Sequence, residues 1–482
     1  MEANNVLFIF SDEHNRDFLG CYGHPLVRTP NLDALAERGT RFTSAYTNCP
    51  ICVPARASLA TGRFVHQIGY WDNAFPYDGT VPSWHHHLRA NGYRVDSIGK
   101  LHFRGGDDNG FTQEIDPMYV VDGIGDVASS IRDGSLKRNS RKGIEDARAG
   151  DSNYLAYDRS NAERAIEWLG QHQRDEQPWV LFLSFVCPHP PFVSPEEYYV
   201  LFDHRDIPLP PQWRPDEWPQ HPAMRHFREY FTFDEPFSED ILRRLQTAYL
   251  GMCSFLDFQI GRVLTTLREL GLDEKTRTIY SSDHGESLGS RGMFGKFTMY
   301  EESAAVPLII AGPDVPSGSV VNTPVSLVDC FPTIIEGLGC NMPTEGLPGS
   351  SLWKIASQSD TDRTVFSEYH AIGSQHAAYM LRDLRYKYIY YVNTPPQLFD
   401  LQRDPHELQD LAALPEYDSI LKDFEARLRA LLDPEAVDAQ ALSDQAALVQ
   451  LKGGREQVIA RGSFANSPVP GEKPVFFRPS GT

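Results

Sequence analysis

The chain has 482 residues, 41% of them hydrophobic and 23% charged, and its formal net charge is -20. This length predicts one large domain with a smaller one, and the composition is ordinary for a soluble globular protein. The negative charge argues against a nucleic-acid partner, and no apolar run approaches the roughly 20 residues that cross a bilayer, which argues against a membrane partner.

Helices alternate with short apolar strands as far as about residue 340. Buried strands are predicted at residues 6–10, 41–46, 93–98, 179–185, 278–282 and 306–310. Helices are predicted at residues 29–39, 54–61, 83–90, 160–169 and 238–270. This alternation predicts an α/β fold, with a large, mostly parallel central sheet and helices on both faces. In such sheets, ligands bind beyond the carboxyl ends of the strands.

The pattern changes in the last quarter of the chain. Short extended runs are predicted at residues 365–369, 379–382, 386–392 and 397–401, and a helix at residues 416–432. They indicate a smaller C-terminal subdomain with an antiparallel sheet and one helix. We therefore expect a catalytic domain at residues 1–355, this subdomain at 356–435 and an extended tail at 436–482. The tail is long enough to embrace a neighbouring subunit, so we predict a homo-oligomer.

The cysteines and the N-terminus bear on the compartment. The odd number of seven cysteines and their wide scatter argue against a disulfide framework. Residues 1–5 contain no basic segment and no cleavage site typical of a secretion signal. Both features predict a cytoplasmic protein. Cys49 and Cys52 form a C-x-x-C spacing, which leaves a redox pair or half a zinc site as alternatives.

Two pairs of potential metal ligands each follow a predicted strand. Asp12 and Glu13 come after the first strand, and Asp283 and His284 come after the strand at residues 278–282. A parallel sheet could bring both pairs to the same edge. Carboxylates and an imidazole suit a hard divalent cation. The alternative is that these acids only cap the helices that follow.

The segment C-V-P-A-R at residues 52–56 opens a predicted short helix. Pro54 can begin a helix, which leaves Cys52 just before the N-terminus, where unpaired amides and the helix dipole favour an anion. Arg56, one turn further on, would neutralise a developing oxyanion. An unmodified thiolate at residue 52 could also be a nucleophile in its own right.

This C-x-P-x-R motif, followed by a helix and Thr-Gly-Arg at residues 61–63, resembles the signature of the formylglycine-dependent sulfatases of the alkaline phosphatase superfamily. The resemblance extends over the chain, to arylsulfatases, choline-sulfatase-like enzymes and phosphonate monoester hydrolases. The matching positions include Asp12, Glu13, Lys100, His102, His189, Asp283, His284 and Lys296. Ala55 replaces the Ser of many sulfatases, as it does in phosphonate monoester hydrolases. Glu13 replaces the more usual Asp or Gln.

The resemblance implies that Cys52 is oxidised to formylglycine by a formylglycine-generating activity of the host. The aldehyde is hydrated to a geminal diol, and one hydroxyl attacks the sulfur of the substrate. The resemblance also implies one divalent metal ion, Ca²⁺ first and Mn²⁺ or Mg²⁺ as alternatives. Its expected ligands are Asp12, Glu13, Cys52, Asp283 and His284.

The remaining roles follow from charge and from the same resemblance. Lys100, Lys296 and Arg56 would offset negative charge on the transferred group and on the diol. His189 and Lys296 are candidates for protonating the leaving oxygen. His102 is the candidate for taking a proton from the second hydroxyl, which expels sulfate and restores the aldehyde.

We therefore predict a hydrolase of sulfate monoesters, acting on aryl or small alkyl sulfates. The small anionic ester is expected to contact Asn73, His189, Lys296 and His370. The alternative is a phosphonate monoester or phosphodiester hydrolase with promiscuous sulfatase activity. A third hypothesis is a non-catalytic ligand-binding relative, although such a protein would be expected to lose metal ligands or the nucleophile.

Overall fold

The computed structural model describes residues 4–340, 346–358 and 360–478. The β-strands are β1 Asn5–Asp12, β2 Gly39–Phe42, β3 Ala45–Tyr46, β4 Arg94–Lys100, β5 Gln113–Met118, β6 Arg148–Ala149, β7 Trp179–Pro188, β8 Val193–Ser194, β9 Thr276–Ser282, β10 Leu308–Ala311, β11 Ser319–Val321, β12 Val325–Ser326, β13 Val365–Tyr369, β14 Ala378–Arg382, β15 Tyr386–Tyr391 and β16 Thr394–Asp400. The α-helices are α1 Pro30–Glu37, α2 Cys52–Thr61, α3 Val65–Ile68, α4 Trp84–Ala90, α5 Arg141–Glu145, α6 Asn153–Gln171, α7 Glu196–Tyr199, α8 Pro222–Phe231, α9 Glu239–Glu269, α10 Glu301–Ala304, α11 Cys330–Gly337, α12 Leu352–Ala356, α13 Asp418–Leu431, α14 Pro434–Leu451 and α15 Gly454–Arg461.

An eight-stranded sheet forms the centre of the molecule, in the order β11-β2-β10-β9-β1-β7-β4-β5. Strand β10 runs antiparallel to both of its neighbours, and the other pairs in the sheet are parallel. The mostly parallel sheet predicted from the alternating elements is therefore confirmed. Strand β1 lies in the middle and is buried along its whole length.

The side chains of β1 alternate between two hydrophobic cores, as the period of two in a strand requires. Leu7 and Ile9 pack into the core that contains residues of α1, α6 and α9. Val6, Phe8 and Phe10 pack into the other core, with residues of α2, α4 and α11. Helices thus cover both faces of the sheet, which explains why β1 is an uninterrupted apolar run.

A separate antiparallel sheet contains β13, β14, β15 and β16 in chain order. Helix α13 covers it, with Phe424 and Leu428 packed against Tyr388 and Leu398. The predicted smaller antiparallel subdomain with one covering helix is confirmed. The limits that we gave for the three parts of the chain stay predictions.

The extended tail predicted from residue 436 was wrong for most of its length, because α14 and α15 occupy residues 434–461. Helix α14 is rich in strong helix formers, and Asp433 caps it by accepting a hydrogen bond from the backbone N–H of Ala436 at 3.0 Å. One stripe of α14, which includes Ala441, Gln445 and Val449, is buried against the same chain. The homo-oligomer stays a prediction. Among the described residues, no helix is long and apolar enough to cross a bilayer.

The buried guanidinium of Arg132 attaches α14 to the body. It donates a hydrogen bond to Gln445 Oε1 at 3.1 Å and to the carbonyl oxygen of Ser374 at 2.7 Å. It also forms an ion pair with Asp438 Oδ1 at 3.4 Å. The side chain of Arg132 is 0% exposed and that of Asp438 is 4% exposed, so solvent screens the pair little.

We predict that Arg132→Ala lowers the free energy of unfolding by about 3 to 5 kcal/mol, because it leaves buried Asp438 without its cation. Urea unfolding followed by tryptophan fluorescence measures the change. The control is Arg455→Ala, which breaks an exposed ion pair with Asp133 in the same region and should cost about 1 kcal/mol or less. Equal losses in the two variants would contradict the prediction.

Candidate active site

The two predicted ligand pairs meet at the carboxyl ends of the neighbouring strands β1 and β9. Ser11 lies opposite Ser282 in the parallel ladder, so Asp12 and Asp283 leave the sheet side by side. The backbone N–H of Glu13 donates a hydrogen bond to Asp283 Oδ1 at 3.1 Å. The sheet edge therefore brings these residues together, as the sequence pattern predicted.

Cys52 joins this group from the start of α2. Helix α2 begins at Cys52 itself. We had expected it to begin at Pro54, with Cys52 just before its N-terminus. The Sγ of Cys52 lies 3.1 Å from His284 Nε2 and 3.7 Å from Asp12 Oδ1. Burial raises the pKa of the Cys52 thiol to about 12, and the Asp12 carboxylate adds to the rise. An unmodified thiol here is therefore protonated at neutral pH.

Four donor atoms, one each from Asp12, Cys52, Asp283 and His284, lie within 4.8 Å of one another, and all four residues are buried. We call these residues the donor group. His284 Nδ1 lies 3.1 Å from the carbonyl oxygen of Gly285, which can only accept a hydrogen bond, so the proton belongs on Nδ1. The lone pair of Nε2 then points at the donor group, as metal binding requires. Carboxylate and imidazole donors in this tautomer fit a divalent cation.

Glu13 lies to one side of the donor group. Its Oε2 is 2.6 Å from Lys296 Nζ and 3.4 Å from His189 Nε2. With Asp12 and His189 it forms a second set of potential ligand atoms. Burial raises the pKa of Glu13 well above its usual value, although Lys296 opposes the rise. The role of Glu13 as a metal ligand stays a prediction.

Arg56 lies behind the carboxylates of Asp12 and Asp283. It does not line the cavity that opens in front of the donor group, although we expected it beside an oxyanion. Its Nε donates a hydrogen bond to Asp283 Oδ2 at 2.9 Å, and its Nη2 donates one to Asp12 Oδ2 at 3.2 Å. Its Nη1 donates hydrogen bonds to Ser184 Oγ at 2.9 Å and to the carbonyl oxygen of Lys100 at 2.8 Å. The planar fork thus holds both carboxylates in place.

Lys100 and His102 follow β4. The ammonium of Lys100, which is fully buried, forms an ion pair with Asp12 Oδ2. Burial alone would raise the pKa of Asp12, but the cations Lys100 and Arg56 lower it well below its usual range. His102 lines the cavity, and neither ring nitrogen has a hydrogen-bond partner among the described residues. Burial, with the nearby cations Lys100 and Arg56, lowers the pKa of His102 well below its usual value, so its ring is neutral.

His189 and Lys296 both line the cavity and contact the same carboxylate oxygen of Glu13. His189 Nδ1 lies 2.7 Å from the carbonyl oxygen of Pro190, which leaves Nε2 directed at Glu13. Burial and the Lys296 ammonium lower the pKa of His189 well below its usual value. Burial would also lower the pKa of Lys296, but the nearby acidic groups Glu13 and Asp12 raise it above its ordinary value. Lys296 is therefore a firm cation beside a neutral imidazole.

Asn73 also lines the cavity, and its Oδ1 accepts a hydrogen bond from the backbone N–H of Val53 at 3.2 Å. His370 does not reach the cavity. It is fully buried, its Nε2 lies 2.8 Å from Glu368 Oε2, and Ile372 from the same segment lines the cavity in its place. The expected contact between His370 and the substrate is therefore not supported by its position.

Several residues that hold the site were not singled out from the sequence. Glu286 Oε1 accepts hydrogen bonds from the backbone N–H groups of Gly295 at 2.6 Å and Leu288 at 2.9 Å, which fixes the loop that carries Lys296. Asp72, next to Asn73, accepts a hydrogen bond from Gln445 Nε2 at 2.8 Å. The short sequence from Asp283 to Glu286 gave a local signal for Glu286, but Gln445 is 373 residues from Asp72 and no local pattern marks it.

A cavity of about 620 Å³ opens in front of these residues. One part of its lining, which we call the floor, consists of Glu13, Cys52, Asn73, His102, His189 and Lys296. The remaining lining includes several phenylalanine side chains. A nucleophile position, cations and a neutral imidazole thus converge on one end of a largely apolar space, which is the usual form of an enzyme site for a small ligand.

The family model described as Sulfatase matches residues 4–340. The chain belongs to the sulfatase family. A second model, described as the C-terminal part of N-sulphoglucosamine sulphohydrolase, matches residues 289–433. The predicted sulfatase family and the type of enzyme, a sulfuric ester hydrolase, are confirmed.

The alignments with relatives and solved structures cover nearly the whole chain. Arylsulfatase K of Bos taurus is 30% identical over 465 residues, which cover 91% of this chain and 83% of the relative. Choline-sulfatase of Rhizobium meliloti (strain 1021) is 31% identical over 469 residues, which cover 92% of this chain and 89% of the relative. The phosphonate monoester hydrolase of Agrobacterium radiobacter has a TM-score of 0.71 at 25% identity, and the match covers 99% of this chain and all of that one.

We predict that Arg56→Lys lowers both the metal affinity and kcat/KM on an aryl sulfate by about 10-fold to 100-fold, because one ammonium cannot hold Asp12 and Asp283 together. Calorimetric metal titration and steady-state kinetics measure the two quantities. Arg63→Lys is the control, since Arg63 is partly exposed at the end of the same motif. Unchanged metal affinity in Arg56→Lys would contradict this role.

Proposed function

We propose that this chain hydrolyses sulfate monoesters, aryl or small alkyl sulfates, with a nucleophile derived from Cys52. The observation that carries the proposal is the position of Cys52 Sγ, at the floor of the cavity and within one group with Asp12, Asp283 and His284. Membership of the sulfatase family and the arylsulfatase and choline-sulfatase relatives support it.

In this proposal the Sγ of Cys52 stands where an oxygen of hydrated formylglycine would lie. A protonated, buried thiol is a weak nucleophile. A geminal diol has a hydroxyl that can attack sulfur and a second hydroxyl that later loses its proton. The carbonyl bond then re-forms, and the C–O bond to sulfate breaks. A sulfate group on the Cys52 sulfur could not leave by this route. Maturation would require a formylglycine-generating activity.

A divalent cation, Ca²⁺ first and Mn²⁺ or Mg²⁺ as alternatives, would be held by Asp12, Asp283, His284 and the modified residue 52. When bound, it would polarise a sulfate oxygen and lower the pKa of the attacking hydroxyl. The described residues fit such an ion, since the outer oxygens of both carboxylates are already neutralised by Arg56. The proposed cytoplasmic location and homo-oligomer are independent of this chemistry.

The cavity residues and the buried Lys100 would divide the proton transfers and the charge stabilisation. Lys296 would offset negative charge on the transferred group, and Lys100, paired with Asp12, would offset charge on the donor group. His102 lines the cavity, is neutral and has no hydrogen-bond partner among the described residues, which supports its role as acceptor of the proton of the second hydroxyl. His189 and Lys296 also line the cavity and are the candidates for protonating the leaving oxygen.

A second candidate function is hydrolysis of phosphonate monoesters or phosphodiesters, with sulfate esters as promiscuous substrates. Two observations favour it: Ala55 in the nucleophile motif, and the match of the solved phosphonate monoester hydrolase to almost the entire chain. The two activities would use the same nucleophile, metal site and cations. Only a comparison of catalytic efficiency on the two classes of ester distinguishes them.

We predict that mass spectrometry of the tryptic peptide that contains residue 52 finds an aldehyde in place of the thiol in active enzyme. Cys52→Ala should lose activity entirely, because alanine provides neither a diol nor a metal ligand. Cys49→Ala is the matched control, since Cys49 is buried nearby but is not part of the donor group. Active enzyme with only an unmodified thiol at residue 52 would refute the diol mechanism.

We predict that kcat/KM is higher for an aryl sulfate than for the corresponding aryl phosphonate monoester. The expected cause is that a sulfate ester presents three non-bridging oxygens to Lys296 and the metal site, whereas a phosphonate monoester presents two and a carbon substituent. Both esters are measured side by side with the same leaving group, so that only the transferred group differs. Equal or higher efficiency on the phosphonate would favour the second candidate function.

A further inference from the structure

The cavity has two chemically different ends. The groups that can bind an anion or attack it, Lys296, His189 and Cys52, lie together on the floor. The rest of the lining combines polar residues with two groups of aromatic side chains, which we call the walls: Phe231 and Phe297 in one, and Phe464 and Phe477 in the other. An ester whose anionic group is held at the floor can extend its other part between these rings.

One wall is a rigid set of rings that begins beside Lys296. Phe297 stacks on Phe231, with ring centroids 4.5 Å apart and planes 19° apart. Phe233 continues the set and packs edge-on against Phe294 at 4.9 Å. Phe231, Phe233 and Phe294 are each no more than 3% exposed, so their packing holds the wall in place. Because Phe297 directly follows Lys296, the anion site and the aromatic wall share one loop.

The second wall comes from the end of the chain, residues 462–478, which we call the C-terminal segment. Ser463 and Phe477 exchange two backbone hydrogen bonds of 2.8 Å, which close the segment on itself. Arg138 Nη2 donates a hydrogen bond to the carbonyl oxygen of Phe464 at 2.7 Å, and its guanidinium lies 5.3 Å from the centroid of the Phe477 ring. These contacts place Phe464 and Phe477 on the cavity.

The charges near the C-terminal segment argue against a cationic occupant. Asp126 is the carboxylate of this wall, and it is already engaged by Arg138 at 3.4 Å and by the hydroxyl of Ser463. Lys142 and Arg138 add positive charge to the lining. A quaternary ammonium would meet aromatic faces here but also these cations. An uncharged aromatic ring would meet no charge repulsion from these cations and could stack on or pack edge-on against the phenylalanine rings.

We propose that the two aromatic walls form a leaving-group subsite for an uncharged aromatic ring, and that the C-terminal segment determines its selectivity through Phe464 and Phe477. The inference rests on the proposed function, and it narrows the substrate class to aryl esters over choline-like or small alkyl esters. It also gives the C-terminal segment a place in the site of its own chain.

Direct binding tests the subsite without any turnover. Phenylphosphonate and methylphosphonate share the anionic group and differ in the ring, and both lack an ester that could be hydrolysed. In calorimetry with the metal-loaded protein, we expect phenylphosphonate to bind about 10-fold or more tightly, the scale of discrimination that an apolar pocket provides. In Phe464→Ala/Phe477→Ala the ratio should fall towards one. Val475→Ala, at an 82% exposed position of the same segment, should leave it unchanged.

Other outcomes separate this inference from the proposed function. A ratio near one in the wild-type protein, or no measurable binding of phenylphosphonate, would overturn the inference, as would phosphocholine binding more tightly than phenylphosphonate. An intact ratio in a protein that hydrolyses neither sulfate nor phosphonate esters would overturn the proposed function alone. If the double variant does not fold, as judged by its thermal unfolding, Phe477→Leu provides the same comparison, with a smaller loss expected.

Discussion

Two carboxylates, Asp12 and Asp283, leave neighbouring strands side by side in a region closed to solvent, and the active site depends on keeping both ionised there. Burial and mutual repulsion oppose this. Arg56 bridges their outer oxygens, and Lys100 adds a second cation to Asp12. The inner oxygens lie beside Cys52 and His284, within the donor group. Two elements provide this arrangement. The mostly parallel sheet brings the ends of β1 and β9 together. Helix α2 carries both Cys52 and Arg56.

The sequence was sufficient for those features that depend on strand ends and short motifs. The apolar run before Asp12 and the one before Asp283 predicted parallel strands, and the ladder confirms that these residues are neighbours. The binding partner of Arg56 could not be predicted, because a guanidinium can pair equally well with an oxyanion or with two carboxylates. In the structure it pairs with Asp12 and Asp283. The position of His370 depends on the packing of β13 against the body, where Glu368 is a nearer partner than the cavity.

The C-terminal region was the least predictable part, for two physical reasons. The buried stripe of α14 mixes the polar residues Asp438 and Gln445 with Ala441 and Val449, so it shows no clear apolar periodicity in the sequence. Its contacts are also with residues that are remote in sequence. Gln445 Nε2 donates a hydrogen bond to Asp72. The next residue, Asn73, accepts a hydrogen bond from the backbone N–H of Val53, which follows Cys52. Helix α14, which the sequence suggested was part of a polar tail, is therefore connected to the site through side-chain contacts that form only in the folded protein.

The chemistry of the donor group is consistent with an oxygen rather than a sulfur at residue 52. Asp12, Asp283 and His284 provide oxygen and nitrogen donors, which suit a hard or borderline divalent cation, whereas a thiolate is a soft ligand. In the absence of a cation, burial and the Asp12 and Asp283 carboxylates raise the pKa of the Cys52 thiol. The thiol is then a weak nucleophile. A hydroxyl oxygen of a hydrated aldehyde would suit a hard cation better than a thiolate, and the bound cation would lower the pKa of that hydroxyl.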